Sequence, residues 1–265
     1  MSFLKLSVTA ISLILSKNSD FDPTFSVSLM KFHGMNRIVV LTGAGMSAES
    51  GLKTFRDHDG LWHNHRVEEV ATPEAWERDM EMVLEFYNER RKGLMEAEPN
   101  AGHLALSKLE EKYDVQVITQ NIDNLHERAG SSNVLHLHGE LNKARSTQDP
   151  SLIYDIDGWE LKIGDLCELG SQLRPHVVWF GEPVPLIMDA AEMCTRADIM
   201  IIIGTSLNVY PAAGLVNYAP MPAPKYIIDP KALEVSYIQN LKVIRKKAGE
   251  GVPELVTELL NSVKS

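Results

Sequence analysis

Residues 37–48, RIVVLTGAGMSA, join a run of β-branched and aliphatic residues to a glycine loop. A run such as Ile38-Val39-Val40-Leu41 fits a strand buried on both faces, the pattern of a parallel sheet. The loop from Gly43 to Ala48 fits G-x-G-x-x-A. In that pattern Gly43 permits a tight turn, Gly45 lets the backbone approach a pyrophosphate, and Ala48 keeps the next helix close to the sheet. The helix start would offer free N–H groups and a positive dipole end to phosphate. Alone, the motif fits either a dinucleotide site or an ordinary strand–helix turn.

Similar apolar runs recur at 115–119, 134–137, 177–180, 199–203 and 225–228. Helical periodicity lies at about 46–51, 73–97, 101–112, 123–128, 185–196, 211–218 and 252–263. The alternation predicts an α/β fold, a Rossmann-like parallel sheet with helices on both faces. Residues 139–176 break this rhythm with a polar stretch. Together with 62–100 they are expected to form a smaller inserted module, leaving a cleft where ligands preferentially bind.

The formal net charge of -10 opposes sequence-independent nucleic-acid binding, which needs Lys and Arg on phosphates. Hydrophobic residues make up 44% of the chain, enough for a substantial core. The two cysteines, Cys167 and Cys194, form no CxxC pair, so neither a disulfide framework nor a four-cysteine zinc site is expected. A cytoplasmic protein without a membrane partner follows as the expectation. Residues 1–34 read as a poorly ordered or wrongly included leader. Their apolar part, Leu4 to Leu15, is too short to cross a membrane and lacks a convincing signal-peptide cleavage site. The catalytic domain would then span 35–265.

An ordinary dehydrogenase would show a second strand ending in an acid about 20 residues after the glycine loop. Here Ser50 to Asp57 continues as a loop instead, and Phe55-Arg56 suggests a lid over the cofactor or, more plainly, a surface ion pair. Gln120-Asn121-Ile122-Asp123 follows the strand at 115–119, where open α/β sheets place ligands. Asn121 and Asp123 suit a carboxamide through reciprocal hydrogen bonds, or else cap the next helix. His136 and His138 share a strand face, so periodicity does not choose between them. His138, at the strand end before Gly139, is better placed for a cleft, and its imidazole suits proton removal near neutral pH. Gly204-Thr205-Ser206 offers small residues and hydroxyls to ribose or phosphate. Asp229, before Pro230, either accepts ribose hydroxyls or forms a turn.

Five blocks, 43–62, 119–130, 136–141, 177–182 and 204–215, together resemble the sirtuin family in order and spacing. The resemblance implies NAD-dependent removal of acyl groups from lysine. The acyl oxygen attacks the anomeric carbon of NAD, nicotinamide leaves, and the acyl group ends on ADP-ribose. His138 is then the implied general base, with Asn121 and Asp123 handling nicotinamide and ribose and Gln120 contacting ribose. Phe55 would shield the reacting face and Arg56 would organise the cofactor. Gly43, Ala44, Gly45, Glu49, Thr54, Trp62 and Ile122 would complete that side. Gly204, Thr205, Ser206, Asp229 and the backbone of Ala248 would hold the adenosine half. Val178, Trp179, Phe180 and Gly181 would pair with a peptide substrate as an added strand. The implied partners are acyl-lysine proteins, taken up by a monomer.

Relatives that prefer malonyl- or succinyl-lysine carry Tyr-x-x-Arg where this chain has Tyr87 and Arg90. Residues at i and i+3 share a helix face, so both would reach one acyl carboxylate. Three positions depart from the family pattern. The 139–176 segment holds only Cys167 of the usual four zinc cysteines, His58 replaces a small residue, and Ile227 stands where Asn is common. Absence of zinc would leave packing of Ile153, Tyr154, Trp159 and Leu161 to stabilise the small module. Protein ADP-ribosylation would use the same cofactor pocket but need no acyl pocket, and a non-catalytic NAD-binding regulator would not require His138.

Overall fold

The computed structural model describes residues 36–52, 61–62 (backbone only), 65–205, 207, 209–231 and 238–262. The expectations for residues 1–34, Thr54, Phe55, Arg56, His58 and Ser206, and for the Trp62 side chain, lie outside the described residues.

The strands are β1 (Arg37–Thr42), β2 (Leu61–Trp62), β3 (His65–Arg66), β4 (Asp114–Thr119), β5 (Val134–His136), β6 (Gly139–Ser146), β7 (Ile153–Asp155), β8 (Leu173–Val177), β9 (Ile199–Ile203), β10 (Lys225–Ile228) and β11 (Leu241–Ile244). Six of them form one sheet in the order β11-β10-β9-β1-β4-β5, and every pair in it is parallel. The Rossmann-like α/β expectation holds.

β1 lies inside the sheet because both of its faces are apolar. Ile38 and Val40 enter one core with the helices at Ala101–Leu109 and Ala248–Ser262. Val39 and Leu41 enter the opposite core with Ile187–Thr195 and Ala212–Tyr218. These four side chains have no exposed surface, and burying each aliphatic side chain contributes about 1.5–3 kcal/mol. The chain runs to opposite sides from β1, toward β4 and toward β9. The carboxyl ends of β1 and β9 therefore flank a topological switch point, where open α/β sheets bind ligands.

Several boundaries differ from expectation. The helix predicted over 73–97 is two helices, Pro73–Arg78 and Met80–Glu96. Thr72 caps the first, while Asp79 leaves helical geometry (φ -153°, ψ 81°) and accepts the Met82 N–H at 2.9 Å to start the second. The predicted helix over 46–51 is two single 3-10 turns, ended by Gly51 at φ 88°. Such a turn carries little macrodipole, so the expected helix-end attraction for phosphate is not available there.

The run at 177–180 is not a strand of the parallel sheet. β8 ends at Val177 and belongs to a three-stranded antiparallel sheet, β7-β6-β8. The polar segment 139–176 thus holds a sheet that local periodicity did not reveal. Residues between Val70 and Ala97 share an apolar core with Leu141, Ala144, Leu161, Val177 and Trp179. Helix Met80–Glu96 is tied to this sheet region by polar contacts. Asn88 bonds the Leu161 backbone in both directions, at 3.0 and 2.9 Å, and Arg91 donates to the carbonyls of Leu141 and Trp159 at 2.7 and 2.5 Å. Among the described residues no helix is long and apolar enough to cross a membrane.

Candidate active site

Three loops meet at the carboxyl ends of β1, β4 and β9. The Gly43 N–H donates to Ile203 O at 3.0 Å, and the Gly45 N–H donates to Gly204 O at 2.9 Å. A Cβ on Gly45 would stand 2.7 Å from Gly204 Cα, and one on Gly204 would stand 2.4 Å from Gly45 C. Gly204 also has φ 60°, in the left-handed region. The glycines therefore serve contact between the two loops, a role the sequence motif did not disclose. Gly45→Ala is expected to cost about 1–3 kcal/mol through overpacking, lowering the unfolding temperature by about 2–4 °C per kcal/mol. Thermal unfolding checks this, and a wild-type midpoint would refute the close contact.

The β4 loop fills the space beside them. Asn121 Nδ2 donates to Gly43 O and Ser47 Oγ, both at 3.1 Å. Its Oδ1 has no bonded donor among the described residues. Ser47 Oγ donates to Asp123 Oδ2 at 2.9 Å, and Asp123 Oδ1 accepts the Leu125 N–H at 3.2 Å. Asp123 is buried, and desolvation raises its carboxyl pKa while these two donors oppose the shift. Gln120 Nε2 donates to Thr205 Oγ1 at 3.2 Å, linking the β4 and β9 loops. Ile122 is buried in the neighbouring apolar core.

The two histidines that periodicity could not separate differ in their partners. His136 Nδ1 lies 3.2 Å from Asn121 O, and its Nε2 lies 2.7 Å from Glu127 Oε1. Both neighbours are acceptors, so both ring nitrogens carry protons. Burial opposes that charge, but the Glu127 hydrogen bond and charge outweigh it and raise the His136 pKa. His136 is thereby committed to a structural ion pair. His138 Nδ1 lies 2.9 Å from Gln120 O, which fixes the proton on Nδ1. Its Nε2 has no partner among the described residues, and burial pushes its pKa below the usual 6.5, against the opposing Gln120 bond. A neutral imidazole with an available Nε2 lone pair is the required state of a general base.

At the far edge, Glu49 Oε2 accepts the Gly249 N–H at 2.7 Å, which joins Glu49 to the helix that begins at Ala248. Asp229 Oδ1 accepts the Lys231 N–H at 2.7 Å, the turn geometry that the Asp-Pro sequence also allowed.

On the module side, Tyr87 is fully buried and its Oη accepts the Trp179 indole N–H at 3.0 Å. Burial pushes the Tyr87 phenol up to about 12, although Arg90 pulls it down. Burial brings Arg90 down to about 10, opposed by the charges of Tyr87 and Asp123. Arg90 thus feels the charges of both Tyr87 and Asp123. The N–H groups of Val178, Trp179 and Phe180 donate to His138 O, Glu182 Oε2 and Ala71 O at 2.9, 2.8 and 3.0 Å. A peptide lying along this segment would be left with the Val178 carbonyl and the Gly181 N–H, since Trp179 O already accepts the Glu182 N–H at 3.0 Å. Phe180 exposes 45% of its surface.

Sequence reasoning passed over Ser47, which bridges Asn121 and Asp123 from inside the glycine loop. A hydroxyl at a buried loop position was the available signal. It also missed Thr42, whose Oγ1 donates to Thr119 Oγ1 at 2.8 Å between β1 and β4.

A parallel sheet with a topological switch point, a close-packed glycine loop and a nearby neutral imidazole is the arrangement of a dinucleotide-binding α/β enzyme class. The Sir2 family model matches residues 43–211. An NAD-dependent protein deacylase of Bacteroides thetaiotaomicron is 55% identical over 226 residues, covering 83% of this chain and 97% of the relative. A solved Sir2 homologue–NAD complex superposes with TM-score 0.77 at 39% identity, covering 93% of this chain and 97% of the other. A Sir2–p53 peptide–NAD+ complex gives TM-score 0.71 at 30% identity, covering 90% and 99%. The chain belongs to the Sir2 family.

Proposed function

We propose that this chain is an NAD-dependent protein-lysine deacylase with a preference for acyl groups ending in a carboxylate. The carrying observation is Tyr87, fully buried, with Arg90 one helical turn on in the helix Met80–Glu96, where Arg90 feels the charges of Tyr87 and Asp123.

The donor set suits NAD. Asn121 has its amide nitrogen occupied and its Oδ1 available to a carboxamide N–H. Gly204 and Thr205 stand at the β9 end, with Asp229 and Ala248 at that edge, and these residues together with Ser206 are assigned to the adenosine half. Ala44 is an exposed residue of a loop whose Gly43, Gly45 and Met46 N–H groups are used internally. Glu49, Thr54, Phe55, Arg56 and Trp62 are assigned to the same cofactor side. Bound NAD supplies an anomeric carbon activated by nicotinamide as leaving group. His138 takes a ribose hydroxyl proton at Nε2 while Gln120 O steadies Nδ1–H. Asp123 and Ser47 hold Asn121 in place. Val178 to Gly181 line the peptide, using the Val178 carbonyl and the Gly181 N–H.

Tyr87 and Arg90 would receive the acyl carboxylate. Tyr87 has no exposed surface, so a carboxylate reaching it has left water and requires a charged partner. Arg90 keeps its charge at neutral pH. Protein ADP-ribosylation would give this pair no role, which favours deacylation. Incubation with NAD and acetyl-, malonyl- or succinyl-lysine peptides, followed by quantification of O-acyl-ADP-ribose, tests the proposal. NAD binding without turnover of any peptide would refute it.

The segments 62–100 and 139–176 we regard as one module that works without zinc. Cys167 Sγ lies 3.4 Å from Ser146 Oγ and 3.1 Å from Ser171 Oγ, and the two hydroxyls are 2.8 Å apart. These side chains bond to one another, and among the described residues no three His, Cys, Asp or Glu side chains form a metal-binding group. Chelator treatment is expected to leave the unfolding temperature unchanged, and elemental analysis showing one zinc per chain would overturn the proposal. Cys167 and Cys194 are both free thiols, in keeping with a reducing cytoplasm, where the chain would act as a monomer on acyl-lysine proteins.

A further inference from the structure

The sheet of the small module reaches the Tyr87 hydroxyl through a bracket of charged and aromatic groups. Glu182 is its centre. Its carboxylate accepts Arg174 Nη1 and Nη2 at 2.7 and 3.1 Å, Arg145 Nη2 at 3.2 Å, and the Trp179 backbone N–H at 2.8 Å. Arg174 also donates to Val177 O at 3.1 Å, which locks its plane. Its guanidinium carbon stands 3.2 Å from the centre of the Trp179 ring. The Trp76 ring packs on the same indole at 5.7 Å. Trp179 is only 2% exposed. Its backbone and ring are thus held from separate directions, and its N–H is aimed at Tyr87 Oη.

An indole N–H only donates, so Tyr87 Oη must act as acceptor toward Trp179. The phenol hydrogen is left to point elsewhere, and among the described residues no acceptor takes it. We propose that Trp179 is a positioning residue for acyl selectivity, orienting the Tyr87 hydroxyl as donor to the carboxylate of a dicarboxylic acyl-lysine. The inference rests on the acyl-carboxylate reading of Tyr87 and Arg90. Glu182 and Arg174 act one step further out, fixing the indole. Nothing in Tyr-x-x-Arg itself encodes this, because the controlling N–H lies 92 positions away in the chain.

The test compares peptides bearing succinyl-lysine with peptides bearing its carboxamide isostere. Trp179→Phe keeps an aromatic face for Arg174 and removes the N–H. It is expected to lower the succinyl-to-carboxamide ratio of kcat/KM about tenfold, mainly through KM, as for one hydrogen bond to a charged group. Tyr87→Phe should lower the ratio similarly. The double variant should be no worse than Tyr87→Phe alone, since both changes remove one device. Additive losses, or equal losses on both peptides in Trp179→Phe, would overturn the inference. Should Trp179→Phe unfold below assay temperature, Tyr87→Phe decides, and a wild-type ratio there also overturns it. Arg90→Met separates the two levels. If it leaves the ratio intact, the acyl-carboxylate reading fails. If it collapses the ratio while Trp179→Phe does not, only the positioning role fails.

Discussion

Replacing His138 with alanine is expected to reduce kcat/KM by about 100- to 10,000-fold, the usual worth of a placed general base. NAD affinity should stay within a few-fold of wild type, because the loops at Gly43, Asn121 and Gly204 bond one another directly and only the Gln120 carbonyl meets the imidazole. Turnover assays and calorimetric NAD titration measure the two effects separately. The wild-type pH profile supplies a further check. Burial holds His138 below 6.5, so the base is neutral at pH 7 and loses function only as acid protonates Nε2. The rate should therefore fall on the acid side with an apparent pKa below 6.5 and stay level through neutrality. Loss of the acid limb in a residually active His138→Ala enzyme completes the assignment. An unchanged kcat/KM in that variant would remove His138 from the mechanism.

The second large effect concerns Arg90. Arg90→Met preserves much of the side chain's length and apolar body while deleting the charge. Desuccinylation should fall about 100-fold relative to deacetylation, because a desolvated carboxylate left without its cation costs about 3–5 kcal/mol, only part of which relaxation recovers. Acetyl-lysine has no such charge to strand. Steady-state kinetics on both peptides reads the ratio directly. Equal losses would show that Arg90 serves the protein's packing rather than acyl choice.

The central sheet was legible because its signals are local. Ile38 to Leu41 advertises burial on both faces, and the glycine loop marks the strand's end. The antiparallel sheet was not legible. Gly139-Glu140-Leu141-Asn142-Lys143-Ala144-Arg145-Ser146 is mostly polar, and what makes it a strand is pairing with residues 153–155 and 173–177. β11 is four residues long and earns its place only through register with β10. The split at Asp79 was hidden because apolar periodicity continues across it, although Thr72-Pro73 and Asp79 are both recognisable helix starts. At the candidate site, periodicity did not choose between His136 and His138, and only the place of His138 before Gly139 favoured it. The partners supply the physical difference, a carboxylate and a carbonyl for one ring and a single carbonyl for the other. Ser47 and the Trp179 N–H escaped notice for the same reason, since their roles depend on groups far along the chain.

Helix Met80–Glu96 interleaves two duties along five residues. Tyr87 and Arg90 respond to Trp179 and Asp123, whereas Asn88 and Arg91 grip the backbone at Leu161, Leu141 and Trp159. About 100° of rotation around the helix separates the two pairs, so on the proposed acyl-carboxylate reading positions 87 and 90 would form an exchangeable specificity cassette. Side chains there can be redesigned for longer, neutral or branched acyl groups while 88 and 91 preserve the docking of the helix. An ancestral enzyme could diversify its substrates by the same route, with two substitutions and no rebuilding of the scaffold.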